Sequence, residues 1–467
     1  MADVSYQRPE YDEALPEWEA VDTLCEGEAA VKRAGEKLLP NPVVASGETR
    51  QELNAIYARY KQRAMYMNVV GRTRQSLIGM AYNKPPSLTV PANLAYMAED
   101  ADGKGLSIYQ QSQKSLEDVL TTGRAGLLVD FPKVEGAVSV ADMQSGIIRA
   151  NICHYDAEDI INWQHTRVGG KSVLSLVVLS EKASEAGDFA NEEVRQLREL
   201  RLDGVYQVRL WRKNKVTGFW EVVDESIPLD ASGNPWSAIP FTFIGAVNND
   251  SGIDMAPLFD LAAVNRKHYQ LGADWYNALY YAGQPQPVIT GLDADWRDWL
   301  EKNGIVVGSR APFLLPAGGN FTYATVTADT AIQKELADLE QRMIALGARL
   351  ITPGEAVKTA TQASGEQAVS HSVVSLSASN VSEAYTLALK WAQAFMGGAG
   401  DCAFTLSTDY VVPSLDPAMV SALVASWQSG TVPKQDVQEY FKRAGLIKAE
   451  RTQEEIDELT NAGSIEL

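Results

Sequence analysis

Cysteine and histidine are scarce in this chain of 467 residues, which contains three cysteines and four histidines. Cys25, Cys153 and Cys402 lie far apart and do not match any metal-ligand spacing. An odd and sparse set of cysteines also argues against a disulfide framework and is typical of a reducing compartment. The four histidines show no metal spacing either: His154, His165, His268 and His371. We therefore expect no metal, no other cofactor and no disulfide scaffold.

Long apolar runs are also missing. No stretch reaches the length that a membrane-spanning helix requires. The first residues, Met-Ala-Asp-Val-Ser-Tyr, lack the apolar core of a secretory signal peptide. The sequence therefore predicts a protein that is made and used in the cytosol, with no membrane as a partner.

Basic residues are too few to balance the acidic ones, with 41 Lys and Arg against 60 Asp and Glu and a net charge of −19. A protein that grips duplex DNA normally carries a basic excess or a basic patch. This chain should repel DNA overall, unless its bases are concentrated on one face. Solubility alone also explains such acidity, and we expect that explanation to hold for most of the surface.

Catalytic motifs are absent as well. The segment Gly169-Gly170-Lys171-Ser172 resembles the end of a phosphate-binding loop, but the first glycine of that motif would fall on His165, and a strand follows instead of a helix. We therefore predict a β-turn at these glycines. Cys153 and His154 are adjacent on a predicted strand, so they should point to opposite faces and form no nucleophile–base pair. We therefore expect no enzyme activity.

The chain is 45% hydrophobic and long enough for two to four domains with sizeable cores. The first 45 residues look partly irregular around one amphipathic segment, Trp18–Leu39. Helices are predicted over Glu52–Tyr82 and Ser107–Gly123. A charged segment, Glu185–Leu202, is expected to form a solvated loop with some helix. Strands are predicted at Gly126–Phe131, within Ile148–Trp163, and at Ser172–Ser180, Tyr206–Arg212, Phe219–Val223, Ile239–Ile244 and Cys402–Val411.

Two long helices, Met255–Tyr281 and Thr330–Leu350, bracket a small unit of about 40 residues. The second helix has apolar residues at steps of four and three, which place one apolar stripe along it. The two helices can pair antiparallel and hold the small unit at their far end, each roughly 30–40 Å long at about 1.5 Å per residue. Arg266-Lys267-His268 on the first helix is expected to be a surface patch or a subunit contact rather than a DNA-facing ring.

The small unit, residues 284–326, should contain a short helix, Trp296–Lys302, and three short strands, at Val288–Thr290, Ile305–Val307 and near Tyr323–Val326. Trp296 and Trp299 lie there beside Asp295 and Asp298. These residues predict a surface on which a partner protein docks, and packing of the tryptophans into the unit's own core explains them equally well.

A run of small and polar residues, 352–365, follows the second long helix, because Thr352-Pro353-Gly354 must end that helix. Another long helix then runs from about Glu366 to Met396. Short helices are expected at the end of the chain, at Pro417–Ser429, Lys434–Ala444 and Gln453–Asn461.

Several segments, taken together in their order along the chain, make it resemble the portal proteins of tailed bacteriophages. More narrowly, it resembles a branch of that group with an uncharacterised domain. The resemblance extends over nearly the whole chain, and none of its segments is a catalytic motif. The segments are Leu77–Pro86, Thr122–Pro132, Tyr155–Trp163, Ile239–Asn249, Leu258–Tyr269 and Leu339–Gly347.

The resemblance implies an α+β fold with a helical and β-rich wing, an antiparallel two-helix stem, a small mixed α/β clip and a short helical crown. By segment, the wing would comprise residues 1–254 and 366–412. The stem helices would be 255–283 and 328–351, the clip 284–327, the channel (tunnel) loop 352–365 and the crown 413–467.

The resemblance also implies a homo-oligomeric ring, usually of twelve subunits, at one vertex of the capsid in the virion, assembled in the host cytoplasm. Double-stranded DNA would pass through the ring without sequence specificity during packaging and ejection. The terminase large subunit, a head–tail adaptor, the major capsid protein and the scaffold would be its protein partners. Light contacts with the DNA backbone would come from the channel-loop residues Lys358, Thr359, Thr361, Gln362 and Ser364.

Two alternatives remain open at this stage. One is a hydrolase or transferase with an active site in the β-rich middle of the chain. The other is a different minor head protein of the virion. A conduit should sediment as a very large ring, whereas an enzyme of this size is usually a monomer or a small oligomer.

Overall fold

The structure is a computed structural model, and it shows a mixed fold of helices and several antiparallel sheets. It describes residues 3–42, 49–132, 148–185, 192–284, 286–291, 293–303, 318–324, 330–351, 372–408, 417–443, 451–452 and 454–456.

Helices dominate the first third of the chain. A capping box at Thr49 and Glu52 starts α3, and a second one at Ser107 and Gln110 starts α5. The helices are α1 (Pro9–Glu26), α2 (Glu28–Ala34), α3 (Arg50–Arg63), α4 (Val69–Ala81) and α5 (Ile108–Thr122). Proline at the first position of α1 is compatible with a helix start, and the helix also accommodates Pro16.

The single helix predicted over 52–82 is wrong, since the chain leaves the helical conformation between α3 and α4. The side chain of Asn265, from a later helix, compensates for this break. Its Oδ1 accepts hydrogen bonds from the backbone N–H groups of Val69 and Val70, both at 3.2 Å, and its Nδ2 donates to the carbonyl of Met67 at 3.0 Å. A distant part of the chain therefore caps α4, which local sequence cannot reveal.

A three-stranded antiparallel sheet has the order β3-β2-β9, formed by β2 (Arg124–Asp130), β3 (Asn151–Asp156) and β9 (Phe241–Gly245). Its central strand, β2, is buried at every residue from Arg124 to Val129. Both faces of this strand are therefore covered, which agrees with the uninterrupted apolar run that predicted it.

The second large sheet is a five-stranded antiparallel meander in the order β4-β5-β6-β7-β8. Its strands are β4 (Ile160–Val168), β5 (Lys171–Glu185), β6 (Glu192–Asp203), β7 (Val205–Lys213) and β8 (Trp220–Ser226). The predicted strands within this region are confirmed. The predicted turn at Gly169-Gly170 is confirmed too, because both glycines have positive φ and join β4 to β5.

The solvated loop predicted over 185–202 is wrong where the structure describes it, because β6 is the central strand of this meander. Its charged side chains are paired by neighbouring strands. Arg198 contacts Glu181 at 2.6 Å and Asp130 at 3.2 Å, and the indole of Trp211 donates to Glu199 at 2.8 Å. Charge suggested exposure, but partners on adjacent strands allow these groups to be buried.

The last half of the chain carries the long helices. These are α6 (Phe259–Ala282), α8 (Thr330–Ile351) and α9 (Val373–Met396), and the long helices predicted in these places are confirmed. Between α6 and α8 lie β10 (Gln286–Thr290), α7 (Ala294–Asn303) and β11 (Asn320–Ala324). Beyond α9 come β12 (Ala403–Thr405), α10 (Pro417–Gln428) and α11 (Lys434–Arg443).

Some predicted elements lie outside the described residues, namely the strand at Ile305–Val307 and most of the helix at Gln453–Asn461. The strand predicted over Cys402–Val411 is shorter where it is described. Strand β12 pairs with β1 (Ser87–Thr89), with Leu88 opposite Phe404.

Two hydrophobic clusters form the core. The larger one joins α1–α5, the three-stranded sheet and the long helices, and the smaller one lies between α1 and the five-stranded meander. Helix α9 contributes many side chains to the larger cluster, including Tyr385, Leu389 and Phe395, each at most 1% exposed. Helix α9 therefore packs against α4 and α5, and Tyr385 shares a hydrogen bond with Ser115, which lies 270 positions earlier in the chain.

Replacing Asn265 with alanine should destabilise the fold, because the buried N–H of Val70 loses its acceptor, and the N–H of Val69 and the carbonyl of Met67 keep only their bond to each other. We expect the free energy of unfolding to fall by about 2–4 kcal/mol. Urea unfolding, followed by circular dichroism, measures the change. Asn277→Ala on the same helix removes one contact with Arg63 at a less buried site and should cost clearly less. Equal effects of the two variants would contradict this account.

Candidate channel and docking surfaces

Helices α6 and α8 pack against each other. Strands β10 and β11 pair directly beyond them, with Gln286 opposite Ala324, so the end of α6 lies near the start of α8 and the two helices run antiparallel. The pair is anchored in the larger core at the other end, where Leu261 and Tyr269 of α6 and Met343 and Leu350 of α8 are buried. The predicted antiparallel pairing is therefore confirmed.

His268 lies inside this pair. It is 8% exposed, and its Nε2 is 3.4 Å from a carboxylate oxygen of Glu340 on α8. The prediction that His268 belongs to a surface patch or a subunit contact is therefore wrong. Its neighbours in sequence did not reveal this position, because residues only one or two apart face different sides of a helix.

The helix pair also keeps apolar surface exposed within the single chain. Ile344 on α8 is 65% exposed, although its neighbour Met343 is buried. Tyr280 and Tyr281, near the end of α6, are 42% and 54% exposed, and the Arg63 guanidinium lies 3.8 Å from the Tyr280 ring centroid. One side of the helix pair is therefore covered by the rest of the chain, and another side leaves large apolar side chains exposed to solvent.

The strand–helix unit at the end of this pair contains β10, α7 and β11. Asp293 precedes α7, and its Oδ1 accepts a hydrogen bond from the backbone N–H of Trp296 at 2.9 Å, as expected of a helix cap. The rings of Trp296 and Trp299 meet edge to face, with centroids 5.5 Å apart. Trp299 remains 52% exposed.

The four predicted docking residues therefore lie together on one short helix. Asp295 and Asp298 are exposed, and Trp296 is half-buried. The tryptophans contact each other, but half of the Trp299 surface is left for another contact, so the docking role stays a prediction.

The five channel candidates Lys358, Thr359, Thr361, Gln362 and Ser364 lie outside the described residues. The described residues nearest to this segment are Ile351, which ends α8, and Ser372, which precedes α9. Leu350 near the end of α8 is 8% exposed, and Ser372, whose hydroxyl caps α9 through the N–H of Ser375, is 1% exposed.

A charged cluster that the sequence did not suggest lies between α5 and β3. It consists of Lys114 and Asp118 on α5 and of His154 and Asp156 on β3. His154 Nε2 is 3.1 Å from Asp118, and Nδ1 is 3.3 Å from Asp156. The two ring nitrogens thus contact different carboxylates. This arrangement suits an imidazolium between two anions better than one ion held by all three groups, because the two nitrogens of an imidazole point in diverging directions.

Burial and charge oppose each other in this cluster. Burial disfavours the charged imidazole, but Asp118 and Asp156 outweigh it, so the pKa of His154 is raised above its ordinary value. Burial raises the pKa of Asp118 to about 6, although His154 acts against this shift. The cluster therefore connects helix α5 to strand β3 through an imidazole placed between two carboxylates.

Cys153 lies on the other side of the strand from His154, as predicted. Its charged neighbours are Asp130, Arg198 and Glu181, and burial raises the pKa of its thiol to about 12. The thiol therefore stays protonated at neutral pH and does not serve as a nucleophile activated by His154.

A second residue that sequence reasoning missed is Arg124, which is 1% exposed. Its guanidinium carbon lies 4.0 Å from the ring centroid of Trp163 and 4.3 Å from that of Phe243. Its Nη1 donates to the carbonyls of Ser251 and Gly252, at 3.0 and 3.2 Å, in the loop before α6. Burial lowers the pKa of this guanidinium to about 9. Arg124 therefore fixes the start of α6 to the three-stranded sheet.

A family described as "Domain of unknown function (DUF4055)" matches residues 257–396, a segment that runs from the start of α6 to the end of α9. The matched segment is less than a third of the chain and contains both paired helices, the strand–helix unit and α9. No match is found among curated proteins.

Two solved structures are similar to the chain. One is described as the neck of an empty GTA particle computed with C6 symmetry, with 15% identity, a TM-score of 0.43, and coverage of 90% of this chain and 98% of the other. The second is the neck of a native GTA particle computed with C12 symmetry, with 13% identity, a TM-score of 0.39, and coverage of 78% and 86%. TM-scores below 0.5 do not establish a common fold.

In the part of the chain that the structure describes, every helix is too short or too polar to span a membrane.

Replacing His154 with glutamine should destabilise the fold in a pH-dependent way. The pKa of His154 is raised on folding, so the stability that its charge contributes is complete below the unfolded value and is lost as pH rises through the folded value. Lys114 and Asp118 from α5 and Asp156 from β3 face it. We expect a loss of about 2 kcal/mol at pH 6.5 and a clearly smaller loss at pH 9, measured by urea unfolding. A loss that is independent of pH would show that His154 is neutral in the folded protein.

Proposed function

We propose that this chain is a portal protein of a tailed bacteriophage. Copies of it would form a ring of twelve at one vertex of the capsid, through which double-stranded DNA passes during packaging and ejection. The paired helices α6 and α8 would be the stem, and the strand–helix unit 284–327 would be the clip. Residues 352–365 would form the channel loop, residues 1–254 and 366–412 the wing, and residues 413–467 the crown.

The helix pair is the observation that carries this proposal. Helices α6 and α8 are anchored in the core at one end, carry a separate small unit at the other, and expose Ile344 and Tyr281 to solvent. A self-sufficient monomer has no need to leave such groups exposed along a helix pair, whereas copies arranged in a ring would cover them.

The charge of the chain agrees with a conduit. Phosphate contacts from Lys and Arg are the main source of non-specific affinity for DNA, and a channel must not hold its DNA tightly. A net charge of −19 keeps such affinity low. Lys358, with Thr359, Thr361, Gln362 and Ser364, remains the predicted set of light backbone contacts.

The ATPase motor that drives DNA through the ring would be a separate protein, since no nucleotide-binding motif is present in the sequence. The terminase large subunit would dock first and a head–tail adaptor later, at the clip. The major capsid protein and the scaffold would contact the outer part of the ring, and the ring would assemble in the host cytoplasm before it becomes part of the virion.

Ring formation is the first test. Sedimentation velocity and negative-stain microscopy of the purified protein should show rings of about twelve subunits with a central hole wide enough for duplex DNA. A protein that remains a monomer or a small oligomer under all conditions would exclude the proposal.

Ile344 provides a test of the stem. Ile344→Glu places a charge where a neighbouring subunit is expected to cover an apolar side chain, so the ring population should fall roughly tenfold or more. Ile344→Leu retains the apolar contact and should form rings as the wild type does. The residue is exposed in the single chain, so thermal unfolding of the isolated subunit should hardly change. Unaffected rings in Ile344→Glu would place this side chain outside the subunit contact.

Trp299 provides a test of the clip. Trp299→Ala should leave ring formation intact and weaken binding of the terminase large subunit of the same phage roughly tenfold, because exposed tryptophans are frequent hot spots. Surface plasmon resonance with immobilised rings measures this affinity. Asp295→Asn on the same helix is the matched control for a change in charge alone. Unchanged binding in Trp299→Ala would restrict this residue to the internal packing of the clip.

A further inference from the structure

The two edges of the five-stranded meander carry opposite charge. Strand β4 forms one edge of this sheet and β8 the other. The far half of β4 carries Arg167, and Lys171 begins β5 opposite Val168, directly after the turn, whereas β8 carries Glu221, Asp224 and Glu225. These five charged residues are all exposed.

The β4 edge is only partly covered by its own chain. The N-terminal segment reaches the first half of this strand, where the backbone N–H of Arg8 donates to the carbonyl of Ile161 at 3.1 Å and its side chain donates to the carbonyl of Trp163 at 2.7 Å. Beyond that contact every residue of β4 from Gln164 to Val168 is exposed. Among the described residues, neither Arg167 nor Lys171 has an ion-pair partner.

Apolar side chains stand between these charges. Val168 at the β4 edge is 58% exposed, and Phe219, Val222 and Val223 at the β8 edge are 73%, 44% and 52% exposed. Charged residues on outer strands often serve only to prevent aggregation. That purpose explains the charges, but it does not explain exposed valine and phenylalanine side chains beside them, which are typical of a surface that is covered in an assembly.

The signs of the charges determine which edges can meet. Two copies joined through β8, or through β4, would bring like charges together, which disfavours a symmetric dimer. Contact between the β4 edge of one copy and the β8 edge of the next brings opposite charges together. Such a head-to-tail contact uses two different surfaces, so it repeats from copy to copy and closes a ring if the rotation allows.

We propose that the β4 edge, residues 164–171, binds the β8 edge, residues 219–225, of a second copy of this chain. This contact deepens the proposed function, since it rests on ring formation and assigns the outer subunit contact of that ring to the two edges of one sheet. The occupant of each edge is the neighbouring subunit, and capsid or scaffold proteins would contact other surfaces.

Charge reversal tests the pairing. The variants R167E/K171E and E221K/D224K each create like charges across the contact, and each should reduce the fraction of subunits in rings roughly tenfold. The variant with all four substitutions restores opposite charges in the reverse sense and should recover most of the rings. Sedimentation velocity measures the ring fraction, and thermal unfolding checks that these exposed substitutions leave the fold intact. Failure of the four-fold variant to recover rings would overturn the proposal.

Cross-linking provides a second and independent measurement. V168C/V222C, treated with a short bis-maleimide, should give a ladder of covalent multimers, whereas V168C alone and V222C alone should give none beyond the wild-type background. Native Cys25 and Cys402 are buried, and the wild-type protein reports any reaction at Cys153. Dimers from either single variant would show that identical edges meet, and rings without a ladder would show that these edges do not meet at all.

The outcomes separate this inference from the proposed function. Wild-type protein that forms no ring would contradict the portal function itself. Wild-type rings that tolerate both charge reversals and give no ladder would contradict only the edge contact and leave the portal proposal standing.

Discussion

The amide of Asn265 on α6 stabilises the break between α3 and α4, which lies about 200 positions earlier in the chain. Backbone polar groups that lose their helical partners must find others when they are buried. The chain breaks its helix between α3 and α4, and this single side chain satisfies two N–H groups and one carbonyl at the break. Helices α3, α4 and α6 therefore fix one another, and the position of the long helix pair depends on this junction.

Other polar contacts fix the start of α6 from two further directions. Arg124 of the three-stranded sheet donates to the loop before α6, and the Asn380 side chain of α9 donates to the carbonyl of Gly245 at 2.8 Å. Asn249 in the same loop donates to the carbonyl of Asn380 at 3.0 Å. Helix α9 comes after the proposed channel loop in the sequence, and α6 leads to the proposed clip. The two proposed DNA- and partner-contacting parts are thus attached to one packed body.

The balance of charge within the chain has two separate effects. Inside the fold, opposite charges from different strands pair with each other, as Arg198 of β6 does with Glu181 of β5 and Asp130 of β2. This pairing allows a charged segment to become a central strand. On the surface, the net charge of −19 would limit non-specific affinity for DNA, while the few local concentrations of one sign would select which surfaces of neighbouring copies can meet.

The sequence by itself determined the helices, strands and turns that are specified by the pattern of neighbouring residues. Apolar spacing identified α6, α8 and α9, the continuous apolar run identified β2, and the two glycines at 169 and 170 identified the turn between β4 and β5. The tryptophan pair on α7 was also visible in the sequence. The resemblance, rather than spacing alone, connected these elements to a portal.

Only the tertiary structure decided the features that depend on residues far apart in the chain. The break at 64–68 needs Asn265, the burial of β6 needs Glu181 and Asp130, and the burial of His268 needs α8. The cluster around His154 joins a helix to a strand more than thirty positions away. In each case the partner that stabilises a polar group comes from another element, and pairing across such distances leaves no periodic pattern in the sequence from which to predict it.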